Sequence, residues 1–407
     1  MTPWIKIKGL VLGLSLFTIS FASLQMSRAV GPEPEWVTIG LLLEEPSGSV
    51  LEDSRTYRGA VLGVEEANVL GGFFGWQFTL SVTHVNGATA AAVAADRLIK
   101  KEGVAALISN LGDDAFLAVR SVVQESKVVL LNCSARADSL RINSFPLAYH
   151  IEVSNRDYLL ALGHFLVSEK KHHRWFLVRG DDSDGEEWEE MVRTFLSGAG
   201  GEIAGISALS IQPDGEDIGF NREELEESEA SIVVVCLRGE LRTAFMDSFG
   251  RPESSLPVAM VYEANADDMA WIGSGSRPVY WPSIWSHTLV RYSGRELNSR
   301  YRRRFDVLMD SDAWSNWAAV KLVAEAVINR RQANGKIISD FLGSHPPFDG
   351  HKGAALTFDL PRRQLCHTLY VLENRRLVDG DIEDESKVVS VFQLVSSDSG
   401  TKPIESR

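Results

Sequence analysis

The sequence has few of the features that define several common classes of protein. It carries three cysteines in 407 residues, too few for a disulfide framework, and its 14 prolines and 33 glycines exclude a collagen-like chain. It contains no GxSxG, HExxH or GxxxxGK(S/T) motif, so the signatures of common hydrolases, metalloproteases and P-loop proteins are missing. A formal net charge of −14 argues against a general nucleic-acid binder, whose surface would be basic.

The sequence does contain enough apolar residues for packed cores, and it begins with the pattern of an export signal. Hydrophobic residues make up 44% of a chain whose length predicts two or three domains. Within Met1–Ala29, Lys6 and Lys8 precede an apolar run, Gly9–Ala22, and small residues flank Arg28. This pattern predicts a signal peptide over residues 1–29, because the run is shorter than the ~20 residues that a membrane span requires.

Removal of this segment would take away three positive charges, which moves the formal net charge from −14 to −17. No cysteine lies near the cleavage region, so we expect an exported protein without a lipid anchor. The cysteines that remain, Cys133, Cys236 and Cys366, are far apart. The first two each follow an apolar run, which favours buried free thiols.

Strand and helix patterns alternate along the rest of the chain. Trp36–Leu43 is a continuous apolar run, typical of a strand buried on both faces. From Tyr57 to Ala67, apolar residues recur at spacings of three and four, as in an amphipathic helix. The alternation continues through Val128–Asn132, and a second series follows it. We therefore predict an α/β fold with two Rossmann-like lobes, each with a parallel sheet.

The candidate binding residues lie in loops at the predicted strand ends, because the carboxyl ends of parallel strands meet the helix N-termini there. Three arginines, Arg136, Arg179 and Arg238, would suit a carboxylate or another planar anion through bidentate contacts. The alternative is that each arginine pairs with a neighbouring aspartate or glutamate across the lobes. The other candidates are Asn110, Asp113, Ser134, Asp184, Tyr262 and Trp285, the last of which either lines a pocket or packs the hinge.

No metal or cofactor site is predicted. His172 and His173 lie in a charged segment without further ligands nearby, and Gly180–Gly185 lacks the first aspartate of a calcium loop. No nucleophile–base pair is visible either, so an exported enzyme is the least favoured class.

Several motifs resemble the type 1 periplasmic binding proteins, the solute receptors of branched-chain amino-acid ABC importers. The segments that carry this resemblance are Gly59–Asn68, Gly71–Gly75, Phe348–Gly350, Gly353, Phe358–Asp359 and Tyr370–Asn374. Shorter motifs, among them Asp138–Arg141, Ser154–Asp157 and Asp312–Lys321, resemble the subfamily associated with pyrroloquinoline-quinone-dependent alcohol oxidation. Residues Gln364–His367 depart from that subfamily, which tends to have Gln-Leu-Arg-Gln there.

The resemblance implies the type 1 periplasmic-binding-protein fold and a monomeric periplasmic receptor that works with an ABC permease in the inner membrane, without a cofactor. Its two lobes would close over a small organic ligand, either an anionic or aromatic acid such as pyrroloquinoline quinone, or an amino acid. Ser134 matches a family position that binds the ligand carboxylate, whereas Asp113 and Arg238 depart from the amino-acid-binding pattern. A periplasmic sensor that feeds a signalling receptor is the alternative function.

The same resemblance implies how the chain divides between the lobes and that three connecting segments form the hinge. Residues 36–150 and 287–344 are assigned to the first lobe, residues 151–286 and 345–395 to the second, and residues 396–407 to a polar tail. The three hinge crossings are then expected near Ile151, Trp285 and Ser344.

Overall fold

The computed structural model describes residues 33–44, 49–142, 145–211, 218–249, 256–264, 277–291, 293–374 and 386–395. The predicted signal peptide and the polar tail lie outside these ranges. Among the helices described, none combines the length and the apolar character needed to cross a bilayer.

Eight strands form the first sheet. They are β1 (Glu35–Leu43), β2 (Trp76–His84), β3 (Ala106–Asn110), β4 (Val129–Asn132), β5 (Ala148–His150), β11 (Phe348–Asp349), β12 (Ala355–Asp359) and β13 (Gln364–Cys366). Their order is β11-β12-β13-β5-β4-β3-β1-β2. The neighbouring strands in the run β13-β5-β4-β3-β1-β2 are parallel. Strands β12 and β11 continue the sheet beyond β13 with antiparallel pairing. The buried residues of β1 contribute to the cores on both faces, as the apolar run predicted.

Seven strands form the second sheet. They are β6 (Arg174–Gly180), β7 (Glu202–Leu209), β8 (Ile232–Cys236), β9 (Val258–Met260), β10 (Val279–Ser283), β14 (Thr368–Asn374) and β15 (Ser386–Gln393). Their order is β15-β14-β10-β9-β8-β6-β7, parallel from β7 to β10 and antiparallel beyond. This sheet also has a hydrophobic core on each face.

Eleven helices are described. They are α1 (Arg55–Gly72), α2 (Gly87–Glu102), α3 (Asp113–Ser126), α4 (Ser139–Ile142), α5 (Asn155–His164), α6 (Ser183–Ala199), α7 (Arg222–Glu227), α8 (Gly239–Phe249), α9 (Gly294–Phe305), α10 (Ser311–Arg330) and α11 (Gly335–Leu342). A short 3₁₀ turn, Leu51–Asp53, precedes α1, and a π-helical turn, Phe165–Glu169, extends α5.

Helix α1 packs unusually close to α10, because two glycines on α1 leave room for the other helix. A Cβ atom at Gly59 would lie 2.1 Å from the carbonyl oxygen of Ala313, and one at Gly63 would lie 2.9 Å from Cβ of Val320. Helix α10 is buried along nearly its whole length. This contact fixes the N-termini of both helices, which carry residues of the candidate site described below.

The chain crosses three times between the two lobes, which we define by the two sheets. The first two crossings lie near Ile151, between β5 and α5, and near Trp285, between β10 and α9. The expected crossing near Ser344 is wrong, because β11, β12 and β13 belong to the first sheet and the chain crosses at His367. Residues 345–366 therefore belong to the first lobe. The decisive contact is the parallel pairing of Gln364 with His150, which no local pattern encodes.

Candidate functional site

A cavity of about 320 Å³ lies between the lobes, at the carboxyl ends of their strands. Its lining residues are Arg55, Arg136, Arg238, Gly239, Arg242, Tyr262, Glu263, Ala264, Asp310 and Asp312. Arg136 follows β4, Arg238 follows β8, and Glu263 follows β9, so each comes from a strand-end loop. Arg55 begins α1, and Asp310 caps α10 by accepting a hydrogen bond from the backbone N–H of Ala313 (2.9 Å). Both lobes thus contribute charged groups to one cavity, in the place where open α/β sheets bind ligands.

The arginines form ion pairs with neighbouring carboxylates. Arg238 Nη2 lies 2.8 Å from Asp184, Arg55 Nη1 lies 2.7 Å from Asp310, and Arg136 Nε lies 3.5 Å from Glu152. Each of the three predicted arginines therefore has a carboxylate partner, but Arg179 and Arg238 pair within the second lobe and not across the lobes.

Arg179 is held away from the other two predicted arginines. Its Nε atom lies 2.9 Å from Glu189, and the residue is not among those that line the cavity. The structure therefore does not bring the three predicted arginines together in one site. Arg136 and Arg238 remain in it, and Asp184 lies beside it as the partner of Arg238.

Asn110, Asp113 and Ser134 brace the loops of the first lobe and do not line the cavity. The side-chain amides of Asn110 and Asn316 exchange two hydrogen bonds of 2.8 Å. Asp113 accepts a hydrogen bond from the backbone N–H of Arg136 (2.9 Å). The hydroxyl of Ser134 donates to the carbonyl oxygen of Leu111 (2.8 Å). These contacts hold the loop that carries Arg136 in place.

Two predicted aromatic residues lie at the site. Tyr262 lines the cavity, with the guanidinium of Arg238 4.8 Å from its ring centre and Trp188 Nε1 donating to its hydroxyl (2.6 Å). Trp285 is buried and stacks on Trp314 at 5.9 Å between ring centres. It also borders an adjoining cavity of about 670 Å³, which shares Arg55, Glu263 and Asp310 with the first one.

Two carboxyl groups of the cavity, those of Glu263 and Asp312, have raised pKa values, first because of burial and then because of neighbouring charges. Burial, followed by the nearby charges of Asp310 and Asp312, raises the pKa of Glu263 to about 8. Enclosure by protein atoms, followed by the charge of Asp310, raises the pKa of Asp312 to about 7. Near neutral pH the cavity therefore holds protonated carboxyl groups beside its arginines, and a cationic group would favour their ionised forms.

Seven residues that line the cavity were not among the predicted site residues: Gly239, Ala264 and the five charged residues Arg55, Arg242, Glu263, Asp310 and Asp312. Glu263 could have been predicted as a site residue, since it follows Tyr262 directly at a predicted strand end. The side chain of Arg242 is buried and donates to the carbonyl oxygen of Glu263 at 3.4 Å. Arg55 and Asp310 meet only because α1 and α10 pack together, and the sequence pattern does not show that contact.

Within the described ranges, no group of three or more histidine, cysteine, aspartate and glutamate side chains is placed to hold a metal ion. The three cysteines are free, and Cys133 and Cys236 are buried, as predicted.

We expect Glu263→Gln to remove part of the pH dependence of stability. The raised pKa of Glu263 means that the folded chain holds a proton that the unfolded chain releases above its ordinary value of 4.5. Stability from this group is fully present below pH 4.5 and is lost as the pH rises through about 8. The variant should therefore be more stable than the wild type by roughly 2–4 kcal/mol at pH 9, and close to it at pH 5.

Urea unfolding at pH 5, 7 and 9 measures this difference. Glu226→Gln, which removes an exposed carboxylate of α7, controls for the general effect of lost negative charge. A Glu263→Gln variant whose stability follows the wild-type curve across this range would contradict the prediction.

Two α/β lobes, three crossings and a cavity between the strand ends define the two-lobed periplasmic-binding-protein fold. The chain belongs to the periplasmic binding protein family, since the sequence profile of that family matches residues 37–376. It is a family of binding proteins, not a class of enzymes. No curated protein sequence is similar enough to the chain to count as a match.

Solved structures agree with this fold. A branched-chain amino acid ABC transporter periplasmic ligand-binding protein from Burkholderia xenovorans is 17% identical, with a TM-score of 0.75 over 87% of this chain and 95% of its own. An amino acid ABC transporter substrate-binding protein from Pseudomonas fluorescens is 16% identical, with a TM-score of 0.76 over 91% and 99%. A branched-chain amino acid transporter substrate-binding protein from Streptococcus pneumoniae, in complex with isoleucine, is 17% identical, with a TM-score of 0.70 over 87% and 99%.

Proposed function

We propose that the protein is the receptor of an ABC importer, and that its lobes close over a small zwitterionic organic molecule of the amino-acid kind. The observation that carries this proposal is the presence of both signs of charge in one cavity. Glu263 and Asp312 lie in the same 320 Å³ volume as Arg238 and Arg242. A volume of this size suits a small ligand.

The charges also give the ligand an orientation. An ammonium group would lie against Glu263 and Asp312 and would favour their ionised forms. A carboxylate would accept charge-assisted hydrogen bonds from Arg238 and Arg242. The ligand side chain would extend into the adjoining cavity, where Leu308 and Trp281 are among the lining residues.

The same cavity disfavours an aromatic polyacid such as pyrroloquinoline quinone. Arg55, Arg136 and Arg238 already have carboxylate partners. Additional negative charges on a ligand would be repelled by the carboxylate of Asp310 and would oppose the ionisation of Glu263 and Asp312, which a cationic group favours. A ligand screen should therefore include a polyacid, which we do not expect to bind.

The place of action is part of the proposal. The predicted signal peptide would direct the chain to the periplasm, and lobe closure would present the loaded receptor, as a monomer, to a permease in the inner membrane. Segments that cross between two lobes are places where hinge closure around a ligand can occur, and this chain has three of them. The likeness to ABC transporter receptors from other organisms supports this role.

We expect Arg238→Gln to weaken binding of the ligand by roughly 10- to 100-fold, because a charge-assisted hydrogen bond contributes about 1.5–3 kcal/mol. The ligand is first found by thermal-shift screening of amino acids, organic amines and aromatic polyacids, and its affinity is then measured by isothermal titration calorimetry. The matched control is Arg179→Gln, which breaks a similar arginine–carboxylate pair in the same lobe but outside the cavity.

A screen in which only polyacids bind would overturn the proposed ligand class. Equal losses of affinity in Arg238→Gln and Arg179→Gln would overturn the proposed binding site.

A further inference from the structure

A buried lysine lies where the chain passes between the lobes. Lys352, in the loop between β11 and β12, is 5% exposed. Its Nζ atom donates to the carbonyl oxygen of Ile284, to the carbonyl oxygen of Thr368 (3.2 Å) and to Nδ1 of His367 (2.8 Å). An ammonium group has three N–H donors, so each of them has an acceptor here.

His367 completes this arrangement. Its ring is fully buried, and its Nε2 atom lies 3.1 Å from the carbonyl oxygen of Ile151. Because Nδ1 accepts a hydrogen bond from Lys352, the hydrogen-bond network assigns the ring proton to Nε2, which donates to Ile151. The imidazole is therefore neutral, with one acceptor and one donor both in use. Trp314 covers both residues, with its ring centre 5.3 Å from that of His367 and 4.0 Å from Lys352 Nζ.

The acceptors of these two side chains come from all three crossings. Ile151 lies at the first crossing, Ile284 at the second, and His367 and Thr368 at the third. Lys352 itself belongs to the first lobe. We call Lys352 and His367 the crossing hub, since two side chains join three segments that are far apart in sequence.

We propose that the crossing hub couples the three crossings so that the lobes rotate about one axis, and that protonation of His367 releases this coupling. A protonated imidazole has two donors and no acceptor, so Lys352 would lose one hydrogen-bond partner and face a second positive charge. Each crossing could then bend without the other two.

The electrostatic surroundings keep His367 neutral in ordinary buffers. Burial, and then the charge of Lys352, holds the pKa of His367 well below its usual value of 6.5. Burial also lowers the pKa of Lys352, and Glu152, next to the first crossing, opposes this shift. The ring of Tyr370 on β14 is the other titratable group that faces Lys352, at 5.6 Å. Release is therefore expected only in acid, well below pH 6.5.

Distance measurements between the lobes test this proposal without any ligand. Spin labels at Ser121→Cys on α3 and Ser197→Cys on α6, both exposed positions, report the separation of the lobes by double electron–electron resonance. Cys366→Ser is included in every variant, and the other native cysteines, Cys133 and Cys236, are buried. Because no ligand is added, failure of this test is distinct from failure of the proposed function.

At pH 7.5 we expect one narrow distance distribution in the wild type. Lys352→Met and His367→Leu should each broaden it at least two-fold. As the pH is lowered in steps below 6.5, as far as the protein stays folded, the wild type should broaden to the same extent. His367→Gln should keep the narrow distribution over the whole range, because an amide retains one acceptor and one donor and does not bind a proton.

The control is His150→Gln, which alters another buried histidine whose Nδ1 atom lies 2.9 Å from Asn132 within the first lobe. The distance distribution of His150→Gln should broaden in acid as that of the wild type does. An unchanged distribution in folded Lys352→Met would overturn the proposal, as would an acid response in His367→Gln equal to that of the wild type. If Lys352→Met does not fold, the comparison of His367→Gln with the wild type decides.

Discussion

Glu152→Gln is expected to lower the free energy of unfolding by about 3 kcal/mol at pH 7, since it leaves the partly buried guanidinium of Arg136, whose side chain is 17% exposed, without its counter-charge. Glu152 is 1% exposed, and its Oε1 atom lies 3.5 Å from Nε of Arg136. Burial lowers the pKa of Arg136, but the carboxylate of Glu152 and other nearby charges raise it by more, so the net shift is upward. Because glutamine has nearly the same shape as glutamate, the loss of stability measures the effect of removing the charge.

The contacts around this pair explain why the loss should be large. Oε1 of Glu152 also accepts hydrogen bonds from the backbone N–H of Val153 (3.0 Å) and from the hydroxyl of Tyr158 (2.7 Å). The guanidinium of Arg136 lies 4.6 Å from the ring centre of Tyr158. One carboxylate thus links the first crossing, the start of α5 and an arginine of the cavity, and water cannot replace it.

Urea unfolding of single and double variants measures the effect. The double variant Glu152→Gln with Arg136→Met should be more stable than the sum of the single losses implies, by at least about 1 kcal/mol. Asp340→Asn, which breaks the exposed pair between Lys336 and Asp340, is the control and should cost less than about 1 kcal/mol. Strictly additive losses at Glu152 and Arg136 would contradict the pairing.

Gly59→Ala is expected to destabilise the chain by about 3 kcal/mol and to weaken ligand binding. The added Cβ would lie 2.1 Å from the carbonyl oxygen of Ala313, a backbone atom that cannot turn aside. Helices α1 and α10 must separate instead, and such overpacking costs about 1–3 kcal/mol or more. Arg55 lies one turn before Gly59, and Asp310 caps α10, so the ion pair at the edge of the cavity would move as well.

Gly198→Ala is the matched control, since it makes the same substitution inside helix α6. No atom lies within 4 Å of a Cβ atom at Gly198. An alanine there should stabilise the chain by about 0.5–1 kcal/mol, because glycine has the greater backbone entropy in the unfolded state. Urea unfolding and calorimetric titration with the ligand measure both variants. Losses of similar size at the two positions would show that the contact with Ala313 is not the cause.

The sequence predicted the parts of the fold that depend on local periodicity. The apolar run Trp36–Leu43 lies within β1, and the stripe from Tyr57 to Ala67 lies on α1. It also placed Arg136, Arg238 and Tyr262 at strand ends, and these three residues line the cavity. It could not determine whether an arginine binds a ligand or a carboxylate, because that depends on side chains from other elements. Arg179 on β6 and Glu189 on α6 illustrate this, since they meet only because the helix packs against the strand.

The sequence by itself determined the kind and order of those helices and strands that have a clear side-chain pattern, because patterning with periods of 3.6 and 2 is a local property of the chain. This patterning did not predict the short strands β5, β10, β11 and β13. Only the tertiary structure decided where the third crossing falls and which charges share the cavity. The crossing depends on the pairing of Gln364 with His150, more than 200 residues away in sequence. The site depends on the contact of α1 with α10, which brings Arg55 to Asp310. Both are contacts between distant segments, and their energy is realised only when the whole chain folds.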